Sequence, residues 1–504
     1  MSATITKLLK GTSYNTLGLM ANMILNFLLI GVIAQILGIE KLGLIAISAL
    51  FSIIGLVSLF DFGIPGALTR ELSLRIKTKN FVEAAQLFWA CVILFCIIGS
   101  VISIILLLSL DPIVNGLFKI SDDYNAKCSL SIFFMFLSHI YQFPTLILKA
   151  TFRAMERFGI LQSVIVAVEM VRVILNITFL YNGFDFDVVI KINSLVPIIV
   201  TFSLWLLLPK NIFSFKQAKN FMDFKFNQTV TLAGYIFIQR IGATVFNNID
   251  RLIAGILLGP FFVGLLEVFS KIPLLINRTL GLAISTIVPA VSGMDFQKDK
   301  TKLQDIYNGG FRIYYSVIAP PVFLLLLFTS NILDLWTGLS DETAVICMQI
   351  MLLWCLIVPF QFGGHMLIGI NKNVKDYTKF ISLLSVLKLV LVLLLIEYIG
   401  IYALPSSFLI ASISTIYLLL VMKKTINISI KSQLRDSLKI IAGSILPILP
   451  LIYTKINISS FFDLMIWVIF CYILQIIFIF IFATNVKEKS NIKSFIIGII
   501  KKHK

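Results

Sequence analysis

The sequence has little charge and few residues of the kinds that bind metals or catalyse reactions. Only 13% of its 504 residues are charged, compared with about 25% in a typical soluble domain. Its 3 histidines and 6 cysteines do not fall at the spacings of a zinc site or a disulfide framework. It also lacks a glycine-rich phosphate-binding loop. These absences argue against a metalloenzyme, a nucleotide-hydrolysing protein and a disulfide-stabilised secreted domain.

Long apolar runs dominate the chain instead. Hydrophobic residues make up 59% of it, and its mean hydropathy is +0.99. Stretches such as residues 90–110 and 464–483 have about the 20 apolar residues that cross a bilayer core as an α-helix. They do not show the alternating pattern of a membrane β-barrel. The sequence therefore predicts an all-α, polytopic membrane protein.

Charged residues, glycines and prolines divide the chain into about fourteen predicted transmembrane spans, numbered in chain order. Their ranges are 12–36, 42–66, 85–108, 128–150, 159–181, 188–208, 229–258, 261–289, 311–330, 343–367, 378–399, 401–422, 437–453 and 462–483. The first span is too long for a signal-peptide core and is predicted to be retained. Most of the 42 Lys and Arg residues fall in alternate loops, which places both termini in the cytoplasm. The net charge of +17 then reflects topology and anionic membrane lipids, and it does not indicate nucleic acid.

A repeated turn indicates that the chain contains two copies of one unit. Residues Gly38–Leu44 and Gly259–Leu265 both read GxxxxGL, and the same separation places Asn26 on Asn247. The repeat predicts two parallel six-helix lobes related by a pseudo-two-fold axis, with a site at their interface. The predicted domains are an N-lobe, a cytoplasmic linker, a C-lobe, and two accessory spans with a basic cytoplasmic tail, over 1–208, 209–228, 229–424 and 425–504 respectively. The accessory spans are predicted to pack outside the twelve-helix core and to hold no substrate residue.

Four segments carry a resemblance to a known superfamily. They are the first GxxxxG turn, FDFGIPGALTRELS (60–73), FPTLILKATFRAMERFG (143–159) and NNIDRLIAGILLGPFFVGLLEVFSKI (247–272). Through them, and over essentially its whole length, the chain resembles the polysaccharide-transport branch of the multidrug, oligosaccharidyl-lipid and polysaccharide exporter superfamily. The resemblance implies a V-shaped, two-lobed flippase of the bacterial inner membrane. Such a protein moves an undecaprenyl-diphosphate-linked oligosaccharide of the O-antigen (lipopolysaccharide) or capsule type to the outer leaflet by alternating access.

The resemblance also implies partners and leaves alternatives open. The expected partners are the lipid-linked oligosaccharide, membrane lipids, and the polymerase and chain-length proteins of the same pathway. The substrate could instead be another lipid-linked precursor, of the peptidoglycan or teichoic type, or the chain could be a multidrug exporter. A cation exporter would favour interior acids, whereas the interior basic residues (Arg172, Arg240, Arg251, Lys271, Arg278, Lys388) outnumber the interior acids (Asp61, Glu169, Asp250, Glu267). An enzyme is not predicted, because the longest predicted outer loop, 109–127, is too short for a catalytic domain.

Polar residues recur on one face of predicted spans one, five, seven and eight. In that order they are Asn15, Asn22 and Asn26; Glu169, Arg172 and Asn176; Arg240, Asn247 and Arg251; and Glu267, Lys271 and Arg278. Spacings of 3, 4 or 7 residues align side chains along a helix, and such stripes are expected around a wet cavity. Because basic side chains bind phosphate, a diphosphate-linked substrate gives a set of predicted binding residues. They are Arg278, Arg240, Arg251, Lys271, Asn247, Arg172, Asn26 and Asn22.

Most of these residues also have a structural interpretation. Glu267 with Lys271, and Glu169 with Arg172, have the spacing of ion pairs within one helix. The asparagines of span one could form ordinary interhelical hydrogen bonds. Arg278 is the strongest predicted substrate residue, because the positions one turn away from it are apolar or glycine.

Transport is expected to be coupled to Na⁺, H⁺ or the membrane potential, because no nucleotide site is predicted. The interior carboxylates that could take a coupling ion are Glu169, Asp250 and Glu267. No catalytic residue, resident metal or cofactor is predicted. His139 and His365 are interpreted as packing histidines and not as proton relays.

Overall fold

The computed structural model describes residues 3–52, 55–118, 120–209, 212–215, 227–285, 291, 294, 298–369, 374–450 and 460–482, and its regular secondary structure there is helical. This confirms the predicted all-α class. The α-helices are α1 Ala3–Leu37, α2 Ile39–Leu50, α3 Ile64–Lys77, α4 Phe81–Leu108, α5 Asp122–Leu137, α6 His139–Ala154, α7 Phe158–Tyr181, α8 Phe186–Leu206, α9 Asn227–Ile253, α10 Pro260–Ser285, α11 Lys300–Leu327, α12 Thr329–Thr337, α13 Glu342–Cys355, α14 Phe362–Gly369, α15 Val374–Ile399, α16 Ala403–Ala411, α17 Thr415–Ile426, α18 Ile430–Ile445 and α19 Phe461–Phe482.

Many of these helices are long and apolar enough to cross a membrane. The described residues contain 9 such stretches, or 10 if the bent pair α5 and α6 is one span. One of them, Asp376–Ile426, is 51 residues long and contains predicted spans eleven and twelve, with a 3₁₀ turn at Gly400–Tyr402 between them. The chain is therefore a multi-pass membrane protein, as predicted.

Predicted span two differs from the structure, because a turn interrupts it. A 3₁₀ turn at Leu56–Asp61 separates α2 from α3. Phe62 and Gly63 then take the left-handed conformation, with φ of 50° and 72°. The Asp61 carboxylate is buried and accepts a hydrogen bond of 2.9 Å from the Gly63 N–H. The interior acid Asp61 thus stabilises this turn of the chain.

Predicted span four is bent where α5 meets α6, at an angle of 40°. His139 begins α6 and is fully buried. Its Nδ1 lies 2.9 Å from the Phe136 carbonyl oxygen, and its Nε2 lies 2.6 Å from the Phe51 carbonyl oxygen. His139 therefore links the bend to the end of α2, which agrees with a packing role. The side chain of His365 lies outside the described residues.

The chain divides into two compact units. The first contains residues 1–268 and 392–401, and the second contains residues 269–391 and 402–504. The apolar core of the first unit surrounds Phe88, Phe143 and Leu161, where α3, α4, α6 and α7 meet. The predicted lobes, with their linker at 209–228, remain a prediction.

In the second unit, the two predicted accessory spans pack against α11. Leu324 of α11 shares an apolar cluster with Ile448 and with Leu464 of α19. Gln475 is buried, and its Nε2 donates a hydrogen bond of 2.8 Å to the Ser444 carbonyl. Pairing the amide with a backbone carbonyl satisfies one polar group that would otherwise be buried without a hydrogen bond.

The two GxxxxGL turns have the same backbone geometry. Gly38 has φ 83° and ψ 171°, and Gly259 has φ 96° and ψ 177°. Both values lie in a region that only glycine occupies readily. Each glycine separates two helices, α1 from α2 and α9 from α10. The two motifs therefore form turns of the same geometry, and the predicted repeat of six-helix lobes stays a prediction.

The second glycines of the two motifs bring α2 and α10 into backbone contact inside the first unit. A Cβ atom on Gly43 would lie 1.8 Å from the Pro260 carbonyl oxygen. A Cβ atom on Gly264 would lie 1.9 Å from the Ile39 carbonyl oxygen. Ile39 and Pro260 hold equivalent positions in the repeat, so the contact is reciprocal, as at a two-fold interface.

Candidate functional site

Helices α1 and α7 face each other along a row of polar side chains. Gln162 Nε2 donates to Asn15 Oδ1 at 2.7 Å across 147 residues of sequence. Arg172 donates to Asn26 Oδ1 at 2.8 Å across 146 residues. Because the sequence separation stays nearly constant, the two helices run parallel in one register. The polar stripes predicted on spans one and five thus meet each other.

The Arg172 cluster, which consists of Arg172, Glu169, Asn26 and Asn193, joins three helices. Arg172 Nε donates to the Glu169 carboxylate at 2.6 Å, and its terminal nitrogens donate to Asn193 of α8 at 3.0 Å and to Asn26 of α1 at 2.8 Å. Only 9% of Arg172 is exposed. The predicted ion pair within α7 is present, and a guanidinium with this many acceptors is well stabilised in an apolar setting.

The position of Arg172 along α7 explains why it needs these partners. It lies 14 residues after Phe158 and 9 residues before Tyr181, which corresponds to about 21 Å and 13 Å along the helix axis. The guanidinium is therefore well inside a hydrocarbon layer about 30 Å thick. An unpaired charge at that depth is strongly unfavourable.

The Arg251 cluster, which consists of Arg251, Glu267 and Asn248, joins α9 to α10. Arg251 Nε donates to the Glu267 carboxylate, and a terminal nitrogen donates to Asn248 Oδ1 at 3.3 Å. The Glu267 side chain is 8% exposed, whereas that of Arg251 is 27% exposed. Since a guanidinium has five N–H donors, Arg251 can bind a further acceptor on its exposed side. Asp250, its neighbour in sequence, is buried.

The other predicted substrate residues differ in how exposed their side chains are. Arg278 is exposed on α10. Lys271 is partly exposed, Asn247 is exposed, and Asn22 is partly buried. The side chain of Arg240 lies outside the described residues.

Lys388 is an interior cation that lies over the face of an aromatic ring. It is fully buried in α15, and its Nζ lies 3.7 Å from the centroid of the Phe408 ring. The Phe408 ring in turn lies 5.0 Å from that of Trp354. A cation over an aromatic face is attracted by the ring quadrupole, so this contact offsets part of the cost of burying Lys388.

Two polar partners were missed by sequence reasoning. Asn193 is part of the Arg172 cluster, and Asn248 is part of the Arg251 cluster. Each left a weak signal, because Asn193 stands two residues after Lys191 in an apolar span and Asn248 follows the predicted Asn247. Helical spacing places a side chain on a face of its own helix, but it does not identify the helix opposite.

The fold and these enclosed ion pairs define a multi-pass helical membrane protein with charged groups held inside its bundle. Residues 8–295 match the family described as polysaccharide biosynthesis protein. This is more than half of the chain, and the chain belongs to the polysaccharide biosynthesis protein family. No curated protein matches the sequence.

Solved structures of exporters share the fold. The lipid II flippase MurJ, in an inward closed conformation, is 15% identical with a TM-score of 0.72, and the match covers 92% of this chain and 97% of that one. An inward-facing multidrug resistance MATE family transporter of the MOP superfamily is 15% identical with a TM-score of 0.65, over 80% of this chain and 94% of that one. The MATE multidrug transporter DinF-BH is 19% identical with a TM-score of 0.56, over 85% and 98%. Together with the family match, these folds confirm the predicted membership of the exporter superfamily.

Proposed function

We propose that this protein flips undecaprenyl-diphosphate-linked oligosaccharide repeat units, of the O-antigen or capsule type, by alternating access. The match of residues 8–295 to the polysaccharide biosynthesis family carries the proposal. The fold shared with the lipid II flippase MurJ supports it, because the name of that protein describes a transporter of a lipid and does not describe an enzyme. Transport runs from the inner to the outer leaflet of the bacterial inner membrane, with both termini cytoplasmic. Polymerase and chain-length proteins of the same pathway are the proposed partners.

The basic residues with exposed side chains are the proposed contacts for the diphosphate. Arg278 is exposed although it lies on an apolar helix, and 27% of the Arg251 side chain is exposed. Charged side chains on such helices face water or lipid head groups and avoid acyl chains. A guanidinium binds phosphate oxygens with two parallel hydrogen bonds, which adds geometric specificity. The partly exposed Lys271 and the exposed amide Asn247 are added to the proposed set. Arg240 is added from its sequence position alone, because its side chain lies outside the described residues.

For Arg172 the structure favours a different role in the same protein. Its guanidinium already binds Glu169, Asn193 and Asn26. We therefore propose that Arg172 fixes the packing of α1, α7 and α8. On this basis Asn26, predicted as a substrate residue, positions Arg172.

Ion coupling is proposed to involve a carboxylate of the first unit. Glu169 and Glu267 are each bound to an arginine, and Asp250 is buried close to the Arg251 cluster. Binding of a proton or Na⁺ by either glutamate would weaken its ion pair and release an arginine, so occupancy and helix packing would be linked. Proteoliposomes prepared with a pH gradient or a Na⁺ gradient distinguish the two ions. If amide substitution of all three acids leaves gradient-driven transport intact, this assignment is wrong.

Variants of Arg278 test the proposed function. A charge-assisted hydrogen bond is worth roughly 1.5–3 kcal/mol, so Arg278→Gln should lower flipping about 10-fold to 150-fold. Arg278→Lys should retain part of the activity, because a point charge still attracts phosphate, and Arg278→Glu should abolish it. Surface-polymer complementation is scored against membrane abundance. Arg157→Gln is the matched control, because Arg157 is exposed and is interpreted as an inner-leaflet anchor.

Two outcomes would count against Arg278 as a substrate residue. Normal complementation by the Gln and Glu variants at normal abundance would contradict an anion site. Loss of activity in proportion to loss of protein would assign Arg278 a structural role.

A second candidate substrate is a peptidoglycan-type lipid precursor. The TM-score of 0.72 to the lipid II flippase MurJ favours it. Complementation of cells that lack their own lipid II flippase would support this substrate, whereas complementation of cells that lack a polymer flippase would support the repeat unit. A cationic drug as substrate is disfavoured, because basic residues outnumber acids among the interior charges. Efflux of a cationic dye from cells that express the protein tests for multidrug export.

A further inference from the structure

Helix α18 has a buried polar face and an exposed basic face. Gln433 and Ser437 are buried on the side that packs against α11 and α19. Lys431, Arg435 and Lys439, spaced four residues apart, are all exposed. Residues four apart in a helix lie on nearly the same side and about 6 Å apart along the axis. The three basic side chains therefore form a row about 12 Å long.

Two apolar residues accompany the row, and two further lysines lie close to it in sequence. Leu434 and Leu438 are 50% and 64% exposed on the same helix. Lys423 and Lys424 are exposed in the last turn of α17. We name Lys423, Lys424, Lys431, Arg435 and Lys439, together with Leu434 and Leu438, the α18 basic surface.

The segment that forms the α18 basic surface contains a single acid. Asp436 is the only acid between residues 423 and 439. It is turned towards α11, where its carboxylate lies 3.6 Å from a terminal nitrogen of Arg312. The side chains of Asp436 and Arg312 are mostly buried, with 16% and 12% exposed. The Asp436 carboxylate is thus paired with Arg312 and does not face the exposed basic residues Lys431, Arg435 and Lys439.

The turn between α17 and α18 holds this surface in a fixed shape. Asn427 ends α17 in the left-handed conformation, with φ of 57°, which asparagine tolerates well. Its carbonyl accepts a hydrogen bond of 2.9 Å from Gln304 Nε2 of α11. The Ser429 hydroxyl caps α18 by accepting a hydrogen bond from the Ser432 N–H. The support is therefore preorganised for binding.

We propose that the α18 basic surface binds an anionic phospholipid of the surrounding bilayer. The row of cations suits lipid phosphates, which attract Lys and Arg near a membrane surface, and the two exposed leucines suit the acyl chains beside them. General positive-inside anchoring depends on the number of charges. Binding at a defined site depends in addition on which residues carry the charges, namely those on the exposed face of α18. The inference goes beyond the proposed transport function, because it concerns a resident lipid and not the transported one.

The test is binding of fluorescent phosphatidylglycerol to the full-length protein in neutral detergent, with phosphatidylcholine as the reference lipid. Each cation contributes about 5-fold in affinity. The triple variant combines Lys431→Gln, Arg435→Gln and Lys439→Gln. It should therefore bind phosphatidylglycerol roughly 100-fold more weakly than the wild-type protein, and its affinity for phosphatidylcholine should be unchanged. The preference of the wild-type protein for phosphatidylglycerol over phosphatidylcholine should also fall steeply as the salt concentration is raised, because salt screens exposed charges.

A matched control removes three other exposed cations of the same unit. Lys298, Lys300 and Lys302 are exposed at the start of α11, with Asp299 and Asp305 among them. Replacing these lysines by Gln should leave lipid binding within about 2-fold of wild type, because the neighbouring acids already offset their charge. Equal loss in both triple variants would overturn the proposal, and so would wild-type binding by the α18 variant.

The proposal stays testable if the triple variant folds poorly. Arg435→Lys keeps the charge and should retain most of the binding. In the wild-type protein, equal affinity for phosphatidylglycerol and phosphatidylcholine at low salt would be sufficient to reject the site.

Discussion

Alanine at Gly43 should force apart the two helices that meet at the repeated turns. The new Cβ would lie 1.8 Å from the Pro260 carbonyl oxygen, whereas ordinary contact begins at 3.4 Å. The two backbones must therefore separate by about 3.4 − 1.8 = 1.6 Å, because neither atom can rotate away. Overpacking of this kind costs about 1–3 kcal/mol, and occasionally more. We expect Gly43→Ala to destabilise the protein by about this amount.

The reciprocal geometry makes a stronger prediction for the second glycine. Gly264→Ala should have a similar cost, because its Cβ would lie 1.9 Å from the Ile39 carbonyl oxygen. Once one alanine has separated the helices, the second alanine finds part of its space already open. The double variant should then cost clearly less than the sum of the two single variants, as expected for residues that share one contact.

Gly242→Ala provides the matched control. Gly242 lies in α9, and nothing lies within 4 Å of a Cβ built on it. Alanine should therefore be neutral there, or stabilising by about 0.5–1 kcal/mol. The free energy of unfolding of each purified variant in nanodiscs is measured by denaturant titration. The reasoning is refuted if the alanines at Gly43 and Gly264 behave like the control, or if their costs add in full.

The remaining predictions concern charged contacts of the first unit. Asp185 accepts from Lys41 at 2.9 Å and from Lys127 at 2.8 Å. Burial raises its pKa, but hydrogen bonds from both lysines outweigh burial and lower the pKa to about 2. Because this is below the pKa of about 3.9 in an unfolded chain, the stabilisation is complete above about pH 4 and is lost as the pH falls towards 2. Asp185→Asn should cost about 1 kcal/mol at neutral pH, since the bridges are partly exposed, and a wild-type advantage that persists at pH 2 would contradict this. Arg172→Gln should cost about 3–5 kcal/mol by leaving Glu169 without its cation, and replacing both residues by Met should recover much of the loss. The thermal stabilities of the wild-type protein and of these two variants test this expectation.

The shared geometry of the two glycine turns could be predicted from sequence because its cause is local. Gly38 and Gly259 need a backbone conformation that other residues rarely adopt, so the requirement is visible in the sequence itself. The break in span two is also local, at Asp61, Phe62 and Gly63, but hydropathy hides it. The mean hydropathy of a stretch shows whether its residues suit lipid, and it does not show whether those residues form one continuous helix.

The candidate site was only partly predictable, for a physical reason. Spacing along one helix correctly placed Glu169 beside Arg172, because both belong to α7. It could not find the Arg251 partner of Glu267, since that contact depends on how α9 packs against α10. Pairing across helices is set by tertiary structure, and the sequence carries no local record of it.

Exposure separates two uses of charge that look alike in the sequence. Arg172 is enclosed and shares its hydrogen bonds among α1, α7 and α8, so removing it should first affect folding. Arg278 is exposed on α10, where an anion in water can reach it. A membrane protein retains such an exposed charge against the cost of inserting it, about 2.5–3.5 kcal/mol at a helix centre. On the proposed function, loss of transport at normal stability is the behaviour expected of Arg278 variants, and loss of stability is the behaviour expected of Arg172 variants.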